Sequence, residues 1–283
     1  MTSGGGAPII ARAAYQPKYE LLAQQILVAE EARTRAWRIR FLITWMLIVA
    51  GLVAFVFATI KLDAVFINKW IPFILTGVPV TLFVSGASIA LAIVLATLGA
   101  LARVSANPIP NAIASFYVSF FRGTPLLLQI LFIYLALPQA GIVIPELPTG
   151  IIALGLNYGA YMTEIFRAGI QAVPHGQTEA AQSLGMSDRT TFRRIIVPQA
   201  FRIVTPAIGN DFVAMLKDSS LVSAIAVQEL LWRAQAAGRP TLQSMQTLLI
   251  AALVYWTMTI LFSFGQSRLE RRMAAGDRAV GRR

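Results

Sequence analysis

The chain has 283 residues, of which 57% are hydrophobic and 13% are charged. A water-soluble domain of this length could not bury so much apolar surface, so the composition predicts a membrane protein. The formal net charge is +11, but the basic residues cluster at the two ends and in one internal loop. That placement is typical of the cytoplasmic side of a membrane protein, and we expect no nucleic-acid partner. The absence of cysteine and the single histidine, His175, exclude disulfides and thiol catalysis and argue against a metal site.

The first 40 residues form an N-terminal segment that we expect to be cytoplasmic and partly helical. Residues 1–7 are rich in glycine and predict disorder. Residues 19–40 mix apolar and charged side chains in a helical pattern. Two interpretations of that helix stay open: it lies on the membrane surface, or it is a solvated lead-in to the first span.

Six apolar runs follow, and each is long enough to cross the hydrocarbon core, which takes about 20 helical residues. They lie at residues 41–60, 78–102, 113–137, 151–173, 200–227 and 244–264. The third run is broken by Arg122-Gly123-Thr124-Pro125, and the fifth is interrupted by polar residues. We therefore predict an all-α polytopic membrane protein with about six transmembrane helices, ending in a basic tail at 268–283.

The orientation follows from the lysines and arginines, which favour cytoplasmic loops. Arginines are frequent before the first span and after the last one, and the loop between spans four and five carries Arg189, Arg193, Arg194 and Arg202. An even number of spans places both ends on one side, and both ends are basic. We therefore expect both termini in the cytoplasm, together with that loop.

The loop between spans four and five, residues 174–199, has the signals of an ordered structure. Pro174 ends the membrane helix, and a short helix is predicted to begin near Gln177. Gly185 fits a helix C-terminal stop, where a left-handed backbone is needed. Ser187 and Asp188 can cap the next helix. These residues predict a short helix on the cytoplasmic surface, flanked by defined turns.

This loop resembles the EAA loop of ATP-binding-cassette importer permeases. Glu179-Ala180-Ala181, then Gly185, then Pro198 follow the spacing of that motif, with Val197 where leucine is usual. In that family the loop forms a coupling helix that docks into a cleft on the ATPase subunit. The resemblance thus implies that these five residues couple transport to ATP hydrolysis; as an alternative, Glu179 is an ordinary surface carboxylate near a helix start.

Three further segments are similar to the polar amino-acid branch of these permeases, the histidine/glutamate/glutamine/arginine/opine group. They are RGTPLLLQ at 122–129, NYGAYMTEIFR at 157–167 and LKDSSL at 216–221. The resemblance implies a five-helix permease core at about 70–267, so the span at 41–60 would be an added N-terminal helix. It also implies a location in the bacterial cytoplasmic membrane, in contact with membrane lipid.

The break in span three has a local interpretation and a functional one. Thr124 can serve as an N-cap and Pro125 as the first residue of a new helix, with Arg122 at the cytoplasmic interface. The alternative is that these residues take a direct part in transport.

Polar residues in span four are candidates for the substrate path. Asn157, Tyr161 and Glu164 lie at i, i+4 and i+7 and share one helix face. A charged residue at the centre of a membrane helix costs roughly 2.5 to 3.5 kcal/mol on insertion scales, so Glu164 should face protein or water. It could bind the ammonium group of an amino acid, or it could pair with Arg167, three residues on.

Span five supplies further candidates, because interrupted helices often mark transport sites. The polar residues there are Asn210, Asp211, Lys217, Asp218 and Ser219. The alternative is that Lys217 and Asp218 bind each other or mark the periplasmic end of the helix.

The chain lacks the phosphate-binding loop G-x-x-x-x-G-K-[ST] of nucleotide hydrolases. None of its four lysines, Lys18, Lys61, Lys69 and Lys217, follows a glycine. We therefore expect no enzyme activity and no cofactor on this chain; ATP and Mg²⁺ would be bound by a partner ATPase.

The resemblance implies the other partners as well. They are an ATPase dimer, a second permease chain (identical or related), and a periplasmic or lipid-anchored amino-acid-binding protein. Glutamate, glutamine or aspartate is expected as substrate from family membership alone. A secondary transporter or channel working alone is the alternative, but it leaves the EAA-like loop unexplained.

Overall fold

The structure is a computed structural model that describes residues 9–59 and 63–280. Within those ranges every regular element is helical, which confirms the all-α fold class. The α-helices are α1 (Ile9–Thr59), α2 (Ala64–Leu75), α3 (Gly77–Val104), α4 (Pro108–Gly123), α5 (Leu126–Leu131), α6 (Glu146–Gln171), α7 (His175–Ser183), α8 (Asp188–Thr191), α9 (Val197–Asp218), α10 (Leu230–Gly238) and α11 (Ser244–Val280). Shorter π or 3₁₀ turns occupy Phe132–Ala136, Leu137–Ala140, Phe192–Ile196 and Ser219–Ile225. The disorder predicted for residues 1–7 lies outside the described residues.

Two compact units divide the chain, Met1–Leu62 and Asp63–Arg283. The described part of the first unit is the single helix α1, and its apolar section Arg33–Thr59 is long enough to cross a membrane. The sequence analysis predicted a boundary at residue 40, between an N-terminal segment and a membrane span. The helix has no break there, because no glycine or proline occurs between residues 18 and 50 to interrupt its hydrogen bonds.

The second unit contains further membrane-crossing helices. The helical section Ala64–Val104 and the section Ser244–Arg272 are long and apolar enough to cross a membrane. Helices α4 and α5 with the turns up to Ala140 meet the same criterion together, but they bend by 106° at the break. Helices α6 and α9 contain 26 and 22 residues, enough to cross at about 1.5 Å per residue, and they carry the polar side chains described below.

Close packing of α3 and α6 forms the centre of this unit. A Cβ atom added at Gly155 would lie 2.6 Å from Leu91 Cδ2, and one at Gly159 would lie 2.6 Å from the hydroxyl oxygen of Tyr117. That hydroxyl donates a hydrogen bond to the Leu156 carbonyl at 2.7 Å, which ties α4 to α6. Small residues four positions apart allow membrane helices to approach in this way. The packing fixes α6 as the central element against which the other helices lie.

A buried carboxylate links α3, α10 and α11. Glu229 is fully buried at the start of α10, where it accepts a hydrogen bond from the Trp232 amide at 2.7 Å. It also accepts hydrogen bonds from the hydroxyls of Thr81 on α3 and Tyr255 on α11. Because an unpaired carboxylate would be costly to bury, these donors make Glu229 a structural junction.

Candidate functional site

The break between α4 and α5 is held together by two side-chain amides. Gln129, on α5, donates to the carbonyls of Phe121 (2.9 Å) and Thr124 (3.1 Å). Asn157, on α6, donates to the Phe121 carbonyl at 3.1 Å and to the Gln129 side chain at 3.2 Å. Carbonyls freed by a broken helix need such partners inside a membrane. Asn157 therefore stabilises the break, and the role of Gln129 was missed from the sequence.

The N-cap role predicted for Thr124 is wrong. Pro125 occupies the N-cap position of α5, and no side chain caps that helix. The Thr124 hydroxyl instead donates to the Phe120 carbonyl at 2.9 Å and accepts from the Gln129 amide at 2.8 Å. The extended backbone at Thr124 directs its side chain back towards the helix that it ends.

A cavity of about 610 Å³ opens beside this break. It lies between the broken span, α6 and α9, and its lining contains one basic and two acidic side chains: Arg122, Asp211 and Asp218. Asn157 and Tyr161, predicted from span four, also line it. The structure thus brings Asn157, Tyr161, Asp211 and Asp218 together, and it adds Arg122 from the break.

The three charged groups differ in how they are held. The Arg122 guanidinium lies 5.1 Å from the centre of the Tyr161 ring, an arrangement that favours a cation–π contact. Asp218 accepts a hydrogen bond of 2.7 Å from the Tyr158 hydroxyl, so its position is fixed by α6. Oδ2 of Asp211 is buried and has no hydrogen-bond partner among the described residues. The cavity therefore offers one guanidinium and two carboxylates to a bound molecule.

Glu164 lies outside the cavity lining and forms an ion-pair network instead. Its Oε2 accepts from Arg167 Nη2 at 2.8 Å, and its Oε1 accepts from Arg103 Nε at 3.2 Å. Arg103 continues the network to Asn111 at 3.4 Å and to Ser115, both on α4. This is the structural role that the sequence left open as an alternative, extended by a partner 61 residues away. The network ties the end of α3 and the start of α4 to the half of α6 that leads into α7.

Three other candidates of span five also lie outside the cavity lining. Asn210 accepts from the Gln266 amide at 2.8 Å, which links α9 to α11. Ser219 is buried and donates to the Leu216 carbonyl at 2.9 Å. Lys217 is exposed, and within the described part of the chain its neighbour Asp218 pairs with Tyr158 rather than with Lys217.

The loop between α6 and α9 is ordered, with the short helix α7 at its centre. The helix begins two residues earlier than predicted, because Pro174 is its N-cap. At its other end Gly185 has φ = +77°, and its amide donates to the Gln182 carbonyl at 2.9 Å. The Met186 amide donates to the Ala181 carbonyl at 3.1 Å, which completes a Schellman motif. The predicted left-handed stop at Gly185 is confirmed.

One face of α7 is available for contact. Ala181 is buried against the rest of the loop, whereas Glu179 and Ala180 are exposed. Leu184, at the end of the helix, has 84% of its surface exposed. Sequence reasoning did not single out Leu184, because an apolar residue in a short helix ordinarily faces inward.

The chain enters α9 through a widened helical turn. Pro198 is exposed and lies in the first turn of α9, directly after the π-helical turn Phe192–Ile196. Because proline has no amide hydrogen and its ring crowds the carbonyl four residues earlier, a wider turn relieves the clash. Ser187 stands at the N-cap of α8 as predicted, but its hydroxyl contacts the Thr190 hydroxyl at 2.9 Å rather than a backbone amide.

Comparisons with known proteins agree on one family. Residues 95–275 match the family model described as a binding-protein-dependent transport system inner membrane component. The arginine transport system permease protein ArtQ of Bacillus subtilis (strain 168) is 37% identical over 208 residues, covering 73% of this chain and 95% of that protein. The L-cystine transport system permease protein TcyB of the same strain is 39% identical over 212 residues, covering 75% and 89%.

A solved structure supports the same assignment. The crystal structure of an amino acid ABC transporter with histidines contains a chain that is 38% identical to this one, with a TM-score of 0.72. The match covers 75% of this chain and all of that chain. The chain belongs to the family of binding-protein-dependent transport system inner membrane components.

Proposed function

We propose that this chain is the permease subunit of an ATP-driven importer of polar amino acids in a bacterial cytoplasmic membrane. Family membership supports a transport role, and the names of the relatives supply the amino-acid class. The observation that carries the proposal is the cavity beside the broken span, because acidic and basic side chains line it together between helices that are long enough to cross a membrane.

The cavity chemistry fits an amino acid. Every free amino acid presents a carboxylate and an ammonium group, which need partners of opposite charge when they leave water. Arg122 would bind the carboxylate, and Asp218, fixed by Tyr158, would bind the ammonium. The Tyr161 ring beside Arg122 would line the path that the substrate follows.

The ordered loop would link this cavity to an ATPase. The exposed residues Glu179, Ala180 and Leu184 contribute a carboxylate, a small side chain and an apolar side chain to the surface of α7 and its C-terminal turn. Such a surface fits a groove on a partner, and the buried Ala181 and the left-handed Gly185 hold it in shape. Pro198 would set the angle at which the loop passes into α9. The partner ATPase, a dimer, would bind ATP with Mg²⁺ and supply the energy of ATP hydrolysis.

Two helices connect this loop directly to the cavity, so a movement of the loop would also move residues that line the cavity. Helix α9 runs from the loop to Asp211 and Asp218, and helix α6 runs from the loop to Tyr158 and Asn157. The network around Glu164 would make α3, α4 and α6 move together. Rigid helices tilted by a partner can open a cavity alternately to the two sides of a membrane.

The orientation and the remaining partners follow from the same proposal. Both termini would be cytoplasmic, since the loop that meets the ATPase shares its excess of arginine with the two ends. A second permease chain and a periplasmic or lipid-anchored binding protein would complete the complex. Glutamate, glutamine and aspartate remain substrates predicted from family resemblance alone.

The test is co-purification of the tagged permease from native membranes, followed by ATPase assays with single amino acids. We expect an ATPase subunit in the purified complex, and hydrolysis that rises with at least one amino acid and its binding protein. Recovery of the permease alone, with amino-acid transport in liposomes that lack ATP, would instead support a secondary transporter.

A further inference from the structure

We propose that Asp211 recognises a positively charged substrate side chain, so that the importer carries a basic amino acid such as arginine or lysine. This inference rests on the proposed function and names the substrate class of the same cavity. It departs from the acidic and amide amino acids expected from family resemblance.

The charges that line the cavity do not balance without a ligand. The described lining holds one guanidinium, from Arg122, and two carboxylates, from Asp211 and Asp218. A basic amino acid supplies one carboxylate and two cations, which matches that set group for group. A neutral amino acid leaves one carboxylate without a cation. An acidic one brings two carboxylates to a single guanidinium and places a negative side chain beside a negative lining.

Asp211 is the carboxylate that lacks a partner. Asp218 already accepts a hydrogen bond from Tyr158, whereas Oδ2 of Asp211 is buried without one among the described residues. In the same ranges, the ion pairs of the structure involve Glu164 and not Asp211. A partly buried carboxylate with an unsatisfied oxygen is costly in a membrane, and a ligand cation would relieve that cost.

The two carboxylates are spaced along one helix face. Asp211 and Asp218 are seven residues apart on α9, which is two helical turns or about 10 Å along the axis. Two hydrogen bonds of about 2.9 Å account for somewhat more than half of that distance. The aliphatic chain of lysine or arginine can span the rest, with the α-ammonium at Asp218 and the side-chain cation at Asp211.

The experiment measures competition for labelled arginine on the complex purified with its ATPase. Unlabelled lysine, glutamine and glutamate compete with labelled arginine for binding to three proteins: wild type, Asp211→Asn and the control Glu146→Gln. The control changes an exposed carboxylate outside the cavity. We expect wild type to prefer arginine and lysine over glutamine by at least about tenfold, because a hydrogen bond between charged groups is at stake. Asp211→Asn should remove most of that preference, and Glu146→Gln should keep it.

The preference ratio is the readout, since a loss of folded protein lowers the number of binding sites for every amino acid alike and leaves the ratio of their affinities unchanged. The variant Asp211→Glu retains the charge and should retain the preference for basic amino acids. The inference is overturned if glutamine or glutamate competes as well as lysine, or if Asp211→Asn leaves the ratio intact; the proposed function then still stands. If no amino acid binds to the complex, the proposed function fails and the inference fails with it.

Discussion

Replacing Gly185 with alanine should weaken the docking of the ATPase by a predictable amount. Gly185 has φ = +77°, and a Cβ atom added there would meet nothing within 4 Å. The cost is therefore backbone strain alone, about 1–2 kcal/mol for an L-residue in the left-handed region. If docking requires the present shape of the loop, that cost corresponds to about a 5- to 30-fold weaker association.

The chain offers a matched control nine residues upstream. Gly176 lies in the first turn of the same helix, outside the left-handed region, and a Cβ atom there would also meet nothing within 4 Å. Gly176→Ala should therefore leave association unchanged, and Gly185→Asn should lose less than Gly185→Ala because asparagine tolerates this conformation better. The assay is titration of the purified ATPase onto the permease in detergent or nanodiscs. Equal affinities for the two alanine variants would refute the reasoning that the Schellman turn presents the docking surface.

Three further substitutions test the packing. Gly77→Ala should lower the melting temperature markedly, because the added Cβ would lie 2.6 Å from a backbone atom of α10. The expected cost in the free energy of unfolding is about 1–3 kcal/mol. Gly86→Ala is the control, since a Cβ there would meet nothing within 4 Å. Tyr255→Phe removes a donor to the buried Glu229 and should cost about 1–3 kcal/mol in thermal unfolding, with no change in amino-acid preference. Glu164→Gln should lower stability by about 1 kcal/mol, since its ion pairs are partly exposed, and an altered substrate preference would instead support a ligand role.

Features set by local sequence were predicted well. The left-handed turn at Gly185 depends on residues within one helical turn, and the break after Arg122 depends on a Gly-Thr-Pro run. Both can be derived from the conformational preferences of glycine and proline. The same reasoning failed at Thr124, because its hydroxyl donates to the Phe120 carbonyl and accepts from the Gln129 amide instead of accepting from an amide of α5.

Partners distant in sequence could not be predicted. Glu164 pairs with Arg103, and Asp218 with Tyr158, across 61 and 60 residues respectively. Helical periodicity placed Glu164 on the same face as Asn157, but it carries no information on which helix lies opposite. Hydropathy indicated a change of environment near residue 40, but it could not show that α1 runs through that point without a break, since the hydrogen bonds of the helix continue where the polarity of its side chains changes.

The most direct test of the proposed function is uptake of labelled amino acid into liposomes that contain the complete complex. The vesicles are loaded either with ATP and Mg²⁺ or with a non-hydrolysable analogue, and the binding protein is added outside. We expect accumulation against the gradient only with hydrolysable ATP, and loss of that accumulation in Arg122→Ala. Equal uptake with ATP and with the analogue would contradict an ATP-driven importer.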